Sequence, residues 1–212
     1  MEKCGFASNS YFSKSFKDTY GEPPSKYAKQ ISELIASSAQ VRGTGIARRT
    51  PEYIVSKIEN KNAIIALDGD VFAGFCYIET WSHDKYVANS GLIVDPKFRG
   101  HGLAKKIKAK IFNHARDKFP SAKVFGITTS LPVMKINSEL GYKPVTFSEL
   151  TQDDTFWKQL PVLNPPESNC TFTSLLTIAS FGETSYPPET CLIVPFLSEH
   201  EYFVSLLNIG KY

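Results

Sequence analysis

Residues 91–104, Gly91-Leu-Ile-Val-Asp-Pro-Lys-Phe-Arg-Gly-His-Gly-Leu-Ala104, constrain the fold of this chain more than any other stretch. They read as an apolar strand, a turn at Asp95-Pro96, and a helix opened by Arg99-Gly100-His101-Gly102-Leu103-Ala104. Glycines let a backbone run close to a ligand, and the amides of a first helical turn have no intrahelical partners. The junction can therefore hold an anion, a phosphate above all. Two familiar phosphate loops do not fit. Gly-Lys-Ser/Thr is absent, and the fingerprint G-x-G-x-x-G fails because Lys105 stands at its third glycine.

The segments on either side set the order of elements. After the loop, a helix from Leu103 to about Phe119 places Leu103, Ile107, Ile111 and Ala115 on one stripe, with Lys105, Lys106, Lys108 and Lys110 expected to face elsewhere. Lys123–Thr129 reads as a strand. A short helix near Val133–Leu140 is stopped by Gly141, and Lys143-Pro144-Val145 follows as a strand. Before the loop, Tyr27, Ile31, Leu34 and Ile35 recur at helical spacing within 25–39. Thr50 caps a second helix that runs to about Ile58, with Pro51 in its first position. Strands at 62–67 and 71–80 flank the turn Asp68-Gly69-Asp70, and a third spans 86–94. In the second of these, Phe72, Gly74, Cys76 and Ile78 alternate with Val71, Ala73, Phe75 and Tyr77, so both faces are apolar and the strand is central. The class expected is α+β, a mostly antiparallel central sheet flanked by helices on both faces.

Arg-x-x-Gly-x-Ala after a strand, then helix, strand, helix and Leu140-Gly141-Tyr142, resembles the GNAT acetyltransferase superfamily over residues 25–150. The resemblance implies acetyl-CoA as cosubstrate and transfer of its acetyl group to a primary amine. Arg99, Gly100, His101, Gly102, Leu103 and Ala104 would hold the pyrophosphate. The strand residues Leu92, Ile93 and Val94 would lie along the donor, their amides available to a developing oxyanion.

A narrower resemblance concerns the acceptor. Gly45-Ile-Ala-Arg-Arg-Thr-Pro-Glu52, the strand Ala63-Ile-Ile-Ala-Leu67 and Val124-Phe-Gly-Ile-Thr-Thr-Ser130 are similar to the acetyltransferase domain of N-acetylglutamate synthases. It implies Arg48 or Arg49 as a carboxylate clamp, because the planar guanidinium pairs a carboxylate bidentately. Lys85 would be a second cation and Ser130 a polar contact. The family has arginine directly after Thr-Thr where this chain has Ser130, which weakens glutamate specifically. The α-amine of glutamate or a related amino acid is the acceptor favoured. A protein or peptide amine, and a non-catalytic acyl-CoA-binding module, stay open.

The chemistry asks for a base, since an amine is mostly protonated at neutral pH. Glu79, near the end of the central strand, is the candidate. Many superfamily members carry a glutamate on the next strand, where this chain has Ala88, Asn89 and Ser90. The superfamily's tyrosine acid, five residues before the aromatic of Leu-Gly-Tyr, is replaced by Asn137, which can donate a hydrogen bond but cannot protonate a thiolate. Tyr142 reads as core packing.

Residues 1–24, rich in Gly, Ser, Lys and Pro, read as a flexible arm, and 151–212 as a C-terminal extension without an assigned role. In the latter, 172–178 and 191–197 read as β segments. Before residue 161 lie 23 of the 24 Lys and Arg and 16 of the 21 acids, leaving the first part at +7 and the rest at −4. A basic body suits a cofactor bearing several phosphates, but there is no dense basic patch with interleaved aromatics, so nucleic acid is not an expected partner. No apolar run is long enough for a membrane span and no signal segment opens the chain, so a cytoplasmic location is expected. Cys4, Cys76, Cys170 and Cys191 form no C-x-x-C pair, and no metal is expected. The partners expected are a small-molecule amine and, for assembly, a homodimer.

Overall fold

Two periodicities, 3.6 in the helices and 2 in the strands, place apolar side chains where a sheet and two helical layers meet. The structure, a computed structural model, describes residues 9–42, 48–128, 130–145, 150–153, 156, 175–179 and 205–208. Helices α1 (Asn9–Tyr20), α2 (Pro24–Arg42) and α3 (Pro51–Glu59) come first. Thr50 caps α3 by accepting the Tyr53 amide at 3.2 Å. The strands β1 (Ala63–Asp68), β2 (Val71–Trp81) and β3 (Tyr86–Val94) form a meander. A short 3-10 turn, Pro96–Phe98, then leads to α4 (Leu103–Lys118), β4 (Lys123–Thr128), α5 (Leu131–Glu139) and β5 (Tyr142–Val145). Two later strands, β6 (Leu175–Ala179) and β7 (Ser205–Asn208), complete the sheet in the order β5-β6-β4-β3-β2-β1-β7. All neighbours pair antiparallel except β3 with β4 and β1 with β7. The fold is α+β, with a mostly antiparallel sheet between helices, as predicted.

One face of the sheet packs Ile65, Leu67, Phe75, Tyr77 and Ile93 against Phe12, Phe16, Tyr27, Ile31, Ile54 and Ile58 of α1–α3. The other packs Ile64, Ala66, Cys76, Ile78 and Val87 against Leu103, Ile107, Ile111, Phe112 and Ala115 of α4. None of the helices among the described residues is long and apolar enough to cross a membrane.

Three expectations change, and one left open is filled. Asn9–Tyr20, read as part of a flexible arm, is helical, and Phe12 and Phe16 are buried at 6% and 3% exposure. Two aromatics four residues apart make an apolar face that outweighs the polar composition around them. Lys108, expected to face away from the apolar stripe, is 2% exposed. It stands at i, i+3, i+4 and i+7 with Ile111, Phe112 and Ala115, so it shares their face. The alternation along β2 shifts phase: Ala66 pairs with Gly74 but Leu67 with Phe72, so Phe72 lies on the face of Phe75 while Ala73 lies on that of Cys76. Finally, the stretch after residue 150 contributes to the sheet. β6, which overlaps the expected segment 172–178, runs between β4 and β5, and β7 pairs with β1. The expected segment 191–197 lies outside the described residues, as does any pairing of Cys170 with Cys191.

Candidate active site

The site begins where two strands separate. β3 and β4 pair only at Tyr86–Lys123, Val87–Val124 and Ala88–Phe125. Beyond Ala88, β4 runs on with β6 to Thr128, while β3 from Asn89 to Val94 keeps β2 as its only strand neighbour among the described residues. That stretch also bulges: Tyr77 opposes Ser90 and Phe75 opposes Ile93, so β3 holds one residue more than β2. Gly91 absorbs the bulge at φ +64°, and a Cβ there would lie 2.2 Å from the Tyr77 ring. Only glycine satisfies both the dihedral and the contact.

β3 then feeds the loop. Arg99 Nε donates to the Val94 carbonyl at 3.0 Å, closing the end of the strand. Gly100 and Gly102 take φ +85° and +73°, with no atom within 4 Å of where a Cβ would stand. Gly102 is the N-cap of α4 and supplies no side-chain bond to the first-turn amides. An uncapped helix N-terminus opening on clear space, with exposed Arg99, Lys105 and Lys106 nearby, is a donor set that fits a pyrophosphate. Leu103, Ile93 and Val94 are buried, so their contribution to a ligand is through the backbone, whereas His101 is exposed and Leu92 and Ala104 are partly so.

On the α3 side of the bulge lies a polar cluster built on aromatic rings. Arg49 is held at both ends, its carbonyl accepting from Ser32 Oγ at 2.6 Å and its Nε donating to Tyr77 Oη at 2.7 Å. Its Nη2 is 3.5 Å from Glu79 Oε1, and its guanidinium lies 5.1 Å from the Tyr53 ring centroid. Tyr53 Oη donates to the same carboxylate oxygen. Lys57 Nζ stands 4.9 Å from the Tyr53 centroid and 5.5 Å from that of Tyr77. Burial, then the Glu79 charge, pushes the Tyr77 hydroxyl up to about 12, and burial and Glu79 raise Tyr53 as well. Both phenols stay protonated at neutral pH. Burial lowers Lys57.

Of the residues expected here, the fold brings Arg49 and Glu79 together and joins them through Tyr77 to Gly91. Arg48 is exposed beside them. Ser130, the N-cap of α5, receives no cap bond, and its amide donates to Thr128 Oγ1 at 3.0 Å. Asn137 is buried at 1% exposure on α5. Lys85 is exposed in the β2–β3 turn, three residues before Ala88, the cross-strand partner of Glu79, or about 10 Å along the strand. It does not join the cluster. Tyr142 is core packing as read: its ring centroid is 5.2 Å from that of Phe112, and its hydroxyl accepts from Asn89 Nδ2 at 3.0 Å. Tyr53 and Lys57 were not singled out in the sequence. Their i, i+4 spacing beside the buried stripe of Ile54 and Ile58 is the signal that marks them.

Two parallel strands thus part above a helix N-terminus whose donors fit a phosphate. Residues 30–131, just under half of the chain, match the model of the acetyltransferase (GNAT) family. Among solved structures, N-acetylglutamate synthase from Neisseria gonorrhoeae, complexed with coenzyme A and N-acetyl-glutamate, is similar at 18% identity and a TM-score of 0.52. The match covers 71% of this chain and 32% of that one, so this chain spans about a third of the synthase. The protein yncA from Salmonella typhimurium, solved with its cofactor acetyl-CoA, is similar at 16% identity and a TM-score of 0.51, over 78% of this chain and 94% of that one. A Mycobacterium tuberculosis protein in complex with CoA gives 15% and 0.50, over 73% and 93%. These are likenesses of fold. Comparison with curated proteins gives no significant sequence match.

Proposed function

We propose that this protein transfers the acetyl group of acetyl-CoA to the primary amine of a small carboxylate-bearing acceptor, the α-amine of glutamate or a related amino acid being the first candidate. The observation that carries the reading is the contact of Tyr77 with both halves of the site. Its ring lies against Gly91 at the bulge, and its hydroxyl holds Arg49 beside Glu79. Acetyl-CoA, when bound, supplies an activated thioester. Arg99 and the first-turn amides of α4 hold its pyrophosphate, and the backbone of Leu92, Ile93 and Val94 offers amides to the carbonyl oxygen.

The remaining chemistry belongs to the acceptor amine. A carboxylate must take the proton that an amine of pKa about 8 to 10 carries at neutral pH. Glu79 opposes Ala88 across the β2–β3 ladder, so it approaches from the neighbouring strand the place where many superfamily members carry a glutamate. Tyr53 and Arg49 orient that carboxylate. Asn137 is not an acid, so the departing thiolate takes its proton from water or from the proton released by the amine. The neighbouring fold solved with N-acetyl-glutamate favours a carboxylate-bearing acceptor. The test is thiol release from acetyl-CoA across a panel of amino acids and uncharged amines. Stimulation by glutamate, aspartate or ornithine is expected, and none by any of the three would end the acceptor assignment.

A further inference from the structure

We propose that Lys57 is the specificity-determining contact for the α-carboxylate of the acceptor, an inference that rests on the proposed acetylation of an amine at this site. The cluster holds two cations, Arg49 and Lys57, and one carboxylate, Glu79. Arg49 is committed within the protein: Nε to Tyr77, Nη2 beside Glu79, and Nη1 donating to the Arg48 carbonyl at 3.4 Å. Lys57 is not. Half-buried over the faces of Tyr53 and Tyr77, its ammonium has neither a hydrogen bond nor an ion pair among the described residues. Three N–H donors thus sit against two rings, where contact with a π face replaces only part of the lost hydration, and the Glu79 charge that acts on Lys57 is shared with Arg49. An incoming carboxylate restores the balance.

The placement also matches the shape of the ligand. An α-amino acid carries its ammonium and carboxylate on one carbon, so a site for it needs an anion and a cation side by side. Glu79 supplies the first and Lys57 the second, linked by Tyr53, which donates to Glu79 and underlies Lys57. Tyr53 and Lys57 are i and i+4 on α3, so one helix face presents both groups to Glu79 on the sheet. This reassigns the clamp expected of Arg49: the arginine holds the base, and the lysine reads the substrate.

The experiment compares the full chain with Lys57→Met and Lys57→Arg, using as acceptors glutamate and its diamide, which keeps the amine and neither carboxylate. The expected result is that the ratio of kcat/KM for glutamate to that for the diamide falls about 10- to 100-fold in Lys57→Met, the loss of one charge-assisted contact. Lys57→Arg recovers most of it, and the KM for acetyl-CoA moves by no more than about 3-fold in either, as fits a residue outside the donor cradle. CoA titration checks that each variant is folded, and Lys57→Gln replaces Lys57→Met if the latter loses CoA binding. A parent enzyme that prefers glutamate, with the ratio unchanged in the folded variants, overturns the role of Lys57 and leaves the acceptor class standing. A parent enzyme that acetylates the diamide as well as glutamate overturns the acceptor class and the inference with it.

Discussion

Two lysines, Lys57 half-buried and Lys108 buried, lie on opposite faces of one sheet, and their surroundings differ in kind. Lys57 shares its face with a carboxylate, a guanidinium and two phenols, and its ammonium is bonded to none of them. Lys108, on α4, is closed in by Cys76, Phe112 and Tyr142, and its ammonium donates to the Asn89 carbonyl at 3.1 Å, just where β3 leaves β4. Burial lowers the pKa of both. One cation is spent inside the structure, on a strand carbonyl that lost its ladder partner. The other stays available. Burial of a charge alone thus does not mark a functional group; what separates the two is whether the fold itself supplies the partner.

The bulge at Gly91 lies between these faces, and disrupting it should have the largest effect. Gly91→Val places a branched side chain at φ +64° and into the Tyr77 ring. It should cost about 3 kcal/mol or more of stability in chemical denaturation, with transfer activity lost. A shift under about 1 kcal/mol would mean that the bulge is dispensable. Glu79→Gln acts on the α3 face alone. It should lower kcat roughly 10²- to 10⁴-fold, with CoA affinity little changed, because Gln keeps hydrogen bonds with Tyr53 and Arg49 but cannot take a proton. An unaltered kcat in single-turnover acetylation removes Glu79 as the base.

Arg99→Glu puts a negative charge at the mouth of α4 and should weaken CoA binding about 10- to 100-fold by equilibrium titration. Equal affinity would refute the loop as the donor cradle. The smallest effect, and the one that most directly contrasts the lysines, is that of Lys108→Met. Because the pKa of Lys108 is lower folded than unfolded, the unfolded chain binds more protons, and parent stability rises with pH from the folded pKa towards about 10.4. The variant should be about 1 kcal/mol more stable at pH 7, and its advantage should shrink as pH approaches 10 in paired thermal melts. A constant gap across that range would show that the Lys108 charge costs the fold nothing.

The elements from α2 to β5 were legible, as α1 was not, because their signals are local. Thr50-Pro51 starts α3, Asp68-Gly69-Asp70 turns a hairpin, the stripe from Leu103 to Ala115 sets the buried side of α4, and Gly141 ends α5 at φ +87°. Lys108 was also legible in principle, through its spacing to Phe112 and Ala115. A lysine among four others in one helix nevertheless reads as surface. The active-site candidates divide in the same way. Arg99–Ala104 follows from residue types in sequence, as does Glu79 at a strand end. Lys85 was expected as a second cation beside Arg48 or Arg49, and the fold leaves it exposed in the β2–β3 turn.

What the sequence determined by itself is the conformation of the proposed donor side: a strand, two glycines and a helix start, contiguous in the chain, whose free backbone amides are set by local conformation. On the proposed acceptor side the sequence offered Arg49 and Glu79 singly, and only tertiary structure assembled the cluster. Arg49, Tyr53, Lys57, Tyr77 and Glu79 meet through the packing of α3 on β2 and through a one-residue bulge that turns Gly91 under Tyr77. Register between strands depends on which apolar faces must be buried together, and that is a property of the whole core rather than of any segment.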